Sequence, residues 1–451
     1  MPSAPFPDRG TAPLEPIISM LATYLDHTSP SSSPSTPSPF SSDTGEADDL
    51  NNNSALSQAV AAAYAKIPIF MSRFAIHDAP SFLRFANGLL TWVPSEGCEG
   101  RDIYDVLCMF YFVLGQEPLG SLQARIIPRG YKEGEWEGLV SGRGTGDFRK
   151  ERYMSWLSDW MVVYAQMVGS WMDSGESITK ESLETFSRCE RYNLHEAVVP
   201  EGGFRTFNEF FGRRLREGAR PVEGVGDERV VVYPADCSLA GDEGDDEEGG
   251  GGIVRVEKGG VVRIKGLPWT IGELLGDYGG GEEFEGGIWM HAFLNTYNYH
   301  HVHAPVSGRV VEARKVRGLA CFEVLVDEEK GAMCRRVEDV SRRKEERNLT
   351  APNSPGYQFL QTRGVLIIEN PLLGKVAVLP VGMAMVSSVR LSVKAGDMVE
   401  KGDEIAGFAF GGSDVVCVFE GRAGLRVEDF VRSPRGEGEW SRYGSVLARV
   451  P

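Results

Sequence analysis

The hydrophobic pattern of this chain changes period near Gly202, and that change bounds what the chain can fold into. Upstream, SALSQAVAAAYAKI, DIYDVLCMFYFVLG, RYMSWLSDWMVVYAQMVGSWM and SITKESLETF carry apolar residues at helical spacing. Downstream, RVVVYPA, GGIVRVEKGGVVRIKG, SGRVVEARKV, RGVLIIEN and KVAVLPVG are short Val-rich runs broken by glycine, which read as strands joined by tight turns. The pattern predicts an α+β chain, a helical N-terminal domain over 56–200 followed by a mostly antiparallel β domain over 201–451. Ser54 or Ser57 is placed to cap the first helix. Ser177 or Thr179 is placed to cap the last, without a Glu or Gln three positions on to complete a capping box. The Trp156, Trp160, Val163 and Met167 stripe reads as core packing rather than a cofactor site.

Residues 1–55 are rich in Ser, Pro, Thr and Asp, too polar to offset ordering entropy, and read as a disordered tail. GDEGDDEEGGGG (241–252) and the charged, then Pro/Asn-rich stretch 329–357 read as solvated inserts. The net charge of −17 argues against a nucleic-acid partner, since a phosphate backbone needs a basic footprint. Seven scattered cysteines without a C-x-x-C pair argue against a disulfide framework or a thiolate zinc site, and for a reducing compartment. The N-terminus lacks a basic segment followed by an apolar run, and no stretch reaches the ~18 uninterrupted apolar residues of a membrane span. Val365 to Leu391 comes nearest but is broken by Glu369, Asn370 and Lys375. The expectation is a cytoplasmic protein without a membrane span.

Three local features could carry chemistry. Four of the seven histidines fall between positions 291 and 303: His291, His300, His301 and His303. If the segment is extended, His301 and His303 share one face and His300 takes the other. H-x-H is also a metal-ligand spacing, but no third and fourth ligand accompany it, so no metal is assigned. Gly411-Gly412-Ser413 lies between two apolar runs. Alone it reads as a hairpin turn; alternatively it sets a hydroxyl nucleophile beside an unshielded glycine carbonyl. Asp236, in VYPADCSLAG, alone reads as a turn aspartate.

Taken in order, the motifs resemble one family, the phosphatidylserine decarboxylases. FNEFFGRRLREGARPV (207–222) resembles that family's entry motif, and VYPADCSLAG its Pro-x-Asp-Gly segment. IKGLPWTIGELLGD resembles its Lys-Gly segment leading into a Leu-Leu-Gly helix. NTYNYHHVHAPVSGRV (295–310) resembles its Asp-Tyr-His-Arg-x-His-x-Pro segment, VLPVGMAMVSSV its Val-Gly-Ala-x-x-Val-Gly-Ser, and VKAGDMVEKGDEIAGFAFGGSD its run ending at a cleaved Gly-Ser bond. The resemblance implies a zymogen that cuts itself between Gly412 and Ser413. Asp236, His303 and Ser413 would form the cleavage triad, and Ser413 would become a covalent pyruvoyl group. That group would form a Schiff base with a substrate amine, with His300 serving the decarboxylation step. The chain 413–451 would remain as a partner of the rest, and an oligomer is open.

The chain departs from the family pattern at Asn298 (family Asp), His301 (family Arg), Cys237 (family Gly), and at Phe410-Gly411-Gly412-Ser413-Asp414, where the family has Leu-Gly-Ser-Thr. None of these removes Asp236, His300, His303 or Ser413, but each bears on the substrate. The Gly-Gly-Ser variant and the helical N-terminal domain resemble the soluble fungal branch, which includes L-tryptophan decarboxylases. The favoured substrate is therefore a free aromatic L-amino acid such as tryptophan. The alternative is phosphatidylserine, giving phosphatidylethanolamine in phospholipid biosynthesis. A remote alternative is an inactive or carrier-like β-sandwich, because APVSGRVVEARKV and VKAGDMVEKGDEIAG resemble the halves of a biotinyl or lipoyl domain. The Met-Lys-Met or Asp-Lys-Ala hairpin of such a carrier is absent.

Overall fold

The computed structural model describes residues 13–28, 54–129, 149–153, 155–240, 252–264, 267–276, 280–320, 322, 324–327, 332–335, 357–385, 389–432 and 440–451. Among the described residues, eight helices carry the N-terminal part: α1 Pro16–His27, α2 Ala55–Lys66, α3 Pro68–Arg73, α4 Ala79–Leu89, α5 Asp102–Leu114, α6 Trp156–Met172, α7 Lys180–Arg188 and the short α8 Phe207–Phe211. Ser54 caps α2 by accepting from Ser57 N. Thr179 caps α7, and its box is closed by Ser182, whose hydroxyl accepts from Thr179 N. A serine thus does the work usually given to Glu or Gln at that position. Helix α5 is apolar on nearly every side and is buried on nearly every side.

Two expectations are corrected here. Helix α1 lies inside the stretch read as a disordered tail. Its Ile17, Ile18, Leu21 and Leu25 are spaced as one helical face and sit in the core, while residues 29–53 lie outside the described residues. In α6 the buried stripe is Leu157, Trp160, Met161, Tyr164, Val168 and Met172; Val163 and Met167 face outward. Helix α6 is turned so that Tyr164 stacks on Phe110 of α5 with ring centroids 4.9 Å apart. Almost all of the inserts 241–252 and 329–357 lies outside the described residues. Among the described residues no disulfide joins Cys98, Cys108, Cys189, Cys237 or Cys417.

The second part is built from strands β1 Val230–Val232, β2 Ser238–Leu239, β3 Ile253–Arg255, β4 Ile288–Leu294, β5 His301–His303, β6 Gly308–Val316, β7 Arg363–Asn370, β8 Gly374–Met383, β9 Val389–Leu391, β10 Met398–Val399, β11 Glu404–Phe408, β12 Gly412–Phe419 and β13 Val446–Arg449. The main sheet runs β10-β6-β7-β8-β12-β4-β2, with β3 also on β4. A three-stranded sheet, β9-β11-β5, and the pair β13-β1 accompany it, and these pairings are antiparallel. Alternate residues of β12 serve two cores. Val415, Cys417 and Phe419 pack with Val302, Ile405 and Phe408; Val416 and Val418 pack with Trp289, Trp269 and Phe359 on the other face. A sheet covered on both faces needs near-continuous apolar strands, which is why RGVLIIEN and KVAVLPVG lack a polar alternation. The helices join this part through one core that takes in Phe410, Met383 and Met385 beside Trp92, Phe207 and Phe211.

Candidate active site

Gly412 and Ser413 are not a hairpin turn. They open β12, a central strand, with Ser413 opposite Gly382 of β8 on one side and Leu294 of β4 on the other. The chain arrives from β11 of the three-stranded sheet and crosses to the main sheet through Ala409, Phe410 and Gly411. Gly411 makes that crossing at φ +139°, a conformation side chains rarely adopt. Asn208 of α8 fixes the segment: its Oδ1 accepts from Phe410 N at 2.7 Å, and its Nδ2 donates to Asp173 at 2.9 Å. The Phe410 ring sits edge-on to Trp92, Phe207 and Phe211. A Cβ on Gly412 would come within 3.2 Å of Met383 Cβ.

Strand alternation gives β5 and its flank two faces. Tyr299, His301 and His303 share one: the Tyr299 ring stacks on His301 at 4.7 Å and lies tilted against His303 at 5.7 Å. His300 takes the other, fully buried, its ring stacked on Phe211 at 3.9 Å. His300 Nδ1 lies 3.0 Å from Ser413 Oγ, and its Nε2 lies 3.3 Å from the carbonyl oxygen of Thr296. A carbonyl can only accept, so Nε2 carries the proton and the Nδ1 lone pair faces the serine hydroxyl. Burial, reinforced by the nearby Arg213 charge, pushes the His300 pKa down to about 3, so the ring is neutral at physiological pH. This is the arrangement of a general base and its nucleophile.

The Asp236, His303 and Ser413 triad is not assembled as a hydrogen-bonded chain. Asp236 faces Arg220, whose Nη2 donates at 2.7 Å, and also accepts from Tyr443 N at 2.9 Å. Arg220 further donates to Glu196 at 2.7 Å. His303 donates from Nδ1 to the Gly402 carbonyl at 2.7 Å, and its Nε2 lies 3.2 Å from the Tyr299 hydroxyl. Burial lowers its pKa to about 4. Tyr443 lies between Asp236 and His303: its backbone N–H donates to one and its ring stacks on the other at 3.8 Å. The physical reason is alternation: His300 and His303 point to opposite faces, and the Ser413 side chain lies on the His300 side.

Asp414 turns to the opposite face of β12 and lies 2.8 Å from His291 Nε2. His301 Nε2 donates to the Gly212 carbonyl at 3.0 Å. Among the described residues no group of three or more His, Cys, Asp or Glu is arranged to hold a metal ion. Nor is any described helix long and apolar enough to cross a membrane. The motif FNEFFGRRLREGARPV supplies three site residues whose roles its sequence alone does not assign: Phe211, Arg213 and Arg220. The available signal was four arginines in a motif whose aromatic residues belong in a core.

A family model described as phosphatidylserine decarboxylase matches residues 207–436, which contain Asp236, His300, His303 and Ser413. The chain is similar to phosphatidylserine decarboxylase proenzyme 3 of Schizosaccharomyces pombe, 31% identical over 57% of this chain and 23% of that protein. It is similar to phosphatidylserine decarboxylase proenzyme 2 of Oryza sativa subsp. japonica, 31% identical over 58% of this chain and 37% of that protein. It is also 28% identical to decarboxylase iboD of Amanita muscaria over 61% of this chain and 76% of that protein. The chain thus spans well under half the length of the two proenzymes.

Proposed function

Because the chain belongs to the phosphatidylserine decarboxylase family, whose members are carboxy-lyases carrying a covalent pyruvoyl group, we propose that it cuts itself between Gly412 and Ser413 and then decarboxylates a free aromatic L-amino acid such as tryptophan. The observation that carries this reading is the contact of His300 Nδ1 with Ser413 Oγ at the start of β12. The residues present fit the group: a serine able to become its ketone, a glycine carbonyl before it, and a neutral imidazole at its hydroxyl.

In the cut, Ser413 Oγ gives its proton to His300 Nδ1 and bonds to the Gly412 carbonyl carbon. The amide C–N bond then breaks, leaving an ester between Gly412 and Ser413 and a free amine on residue 413. Loss of the Ser413 α-proton expels the Gly412 carboxylate and ends the first chain. Water then displaces ammonia at the residue 413 α-carbon, leaving a ketone. The pieces 1–412 and 413–451 stay joined, because β12 remains paired with β8 and β4, and β13 with β1. Such a ketone supplies an electron sink for the pair left behind as a substrate α-carboxylate departs. His300 remains beside that centre, where it is placed to pass a proton to a carbanion.

Support for a free aromatic acid comes from the burial of Ser413, which is 1% exposed: its neighbour Phe410 packs against Trp92 and Phe207 of the helical part, and the His300 ring at its hydroxyl lies against Phe211. A two-chain lipid would need this packing to open further than a free amino acid would. The second reading, phosphatidylserine, rests on the names of the relatives. The test is carbon dioxide release by the self-processed protein, offered L-tryptophan, L-tyrosine and L-phenylalanine in solution and phosphatidylserine in mixed micelles. Release from the free acids and none from the micelles is the expected result; the reverse moves the assignment to the lipid.

A further inference from the structure

A cleft beside the 295–300 loop is lined by Arg213, Asn298 and Trp440 together with Tyr192, Tyr297 and Tyr299. Arg213 is 3% exposed, and its Nη2 is fixed by the carbonyl oxygens of Tyr297 at 2.9 Å and Tyr192 at 3.0 Å. Its Nε and Nη1 find no acceptor among the described residues, nor is it in an ion pair there. Asn298 Oδ1 accepts from Asn295 N at 2.7 Å, which sets the amide orientation and leaves Nδ2 as a buried donor without an acceptor among the described residues. Trp440 Nε1 is a third such donor. Two carboxylates also line the cleft, Glu196 and Asp236, and both are bound to Arg220 at 2.7 Å. Burial lowers the Arg213 pKa to about 10, so it stays charged at neutral pH.

An unsatisfied buried N–H costs ~1–3 kcal/mol. The Arg213 guanidinium lies over the Tyr192 and Phe210 rings, 5.6 Å from each centroid, but rings do not take up its Nε and Nη1 hydrogens as an oxyanion would. Donors on three residues of one cleft, without matching acceptors among the described residues, call for a ligand that only accepts. We propose that Arg213, Asn298 and Trp440 form a binding site for an oxyanion of the substrate, a carboxylate or a phosphate. The loop bearing Asn298 also bears His300, so an anion held here positions the rest of its molecule toward Ser413. The inference rests on the reading of Ser413 as the reaction centre.

The test is thermal unfolding of the full chain in sodium acetate and in sodium phosphate at pH 7, against sodium chloride at equal ionic strength. A saturable rise in Tm above chloride is expected. Acetate alone points to a carboxylate, as in a free amino acid; phosphate alone points to a phospholipid head group. Asn298→Asp sets a carboxylate beside Arg213 and should abolish the rise. Trp440→Phe keeps the ring, removes one donor and should raise the half-saturating concentration several-fold. A wild-type chain that responds no more than it does to chloride, or two variants that respond as wild type does, overturns the site. Intact mass of the same samples reports the 412/413 cut independently. A cut chain without an anion response fails the site alone; an uncut chain that responds fails the self-processing reading alone.

Discussion

His300 Nδ1 stands 3.0 Å from Ser413 Oγ, though the two residues are 113 positions apart in the chain. The pair is brought together by β5 on one sheet and β12 on the other, and it is held dry by Phe211 stacked on the imidazole.

On that contact rests the proposal that His300 is the base of the cut. His300→Ala should slow self-cleavage by ~10²–10⁴-fold, the usual contribution of a positioned base, and His303→Ala should slow it less. The pH profile adds a second reading. A His300 pKa near 3 keeps the base form filled from pH 8 down to pH 5, so the cleavage rate should stay flat there and fall only as pH drops toward 3. A time course resolved by denaturing electrophoresis measures both. A larger loss in His303→Ala would return the role to His303, and a half-point near 6.5 would show that the base is not the buried His300.

Arg220 carries two buried or half-buried carboxylates, Asp236 and Glu196. Its removal strands a charge at Asp236, which is 1% exposed. Arg220→Met should therefore cost ~3–5 kcal/mol of stability, the penalty of breaking a buried pair by deleting one partner. Replacing both members, Arg220→Met with Asp236→Leu, should recover part of it. Chemical denaturation of the three proteins measures the difference, and equal midpoints for wild type and Arg220→Met would show that the pair bears no load.

Gly411 turns the chain from one sheet to the other at φ +139°. Any side chain there is strained, so Gly411→Ala should cost ~1–3 kcal/mol and should also displace Ser413 from His300. The expected readout is a lowered Tm together with slowed cleavage. A normal cleavage rate in this variant would mean that the crossing does not position the bond.

The helical and strand-rich halves were legible from period alone; the cap of α2 was narrowed to Ser54 or Ser57, and Ser54 carries it. Helix α1 was not, because Ile17, Ile18, Leu21 and Leu25 are followed by a long Ser/Pro tract that dominates the composition of the stretch. The Thr179 box was missed because a serine hydroxyl, able both to donate and to accept, stands where a carboxylate was sought. Alternation correctly separated His300 from His301 and His303. It could not say which face Ser413 would meet, since that depends on the register of β12 between β4 and β8, set by contacts more than a hundred residues apart. Arg213 was hidden for a related reason: its lack of a carboxylate partner is a property of the packed cleft and not of the motif.

The central claim is the cut. Denaturing mass spectrometry of the freshly purified full chain should give two species, residues 1–412 and a fragment beginning at position 413, the latter with its N-terminal residue converted from serine to a ketone-bearing group that hydroxylamine modifies. Ser413→Ala should give one species of full-length mass. A wild-type chain that stays whole under the same conditions, or a Ser413→Ala chain that is still cut at 412/413, would contradict the account.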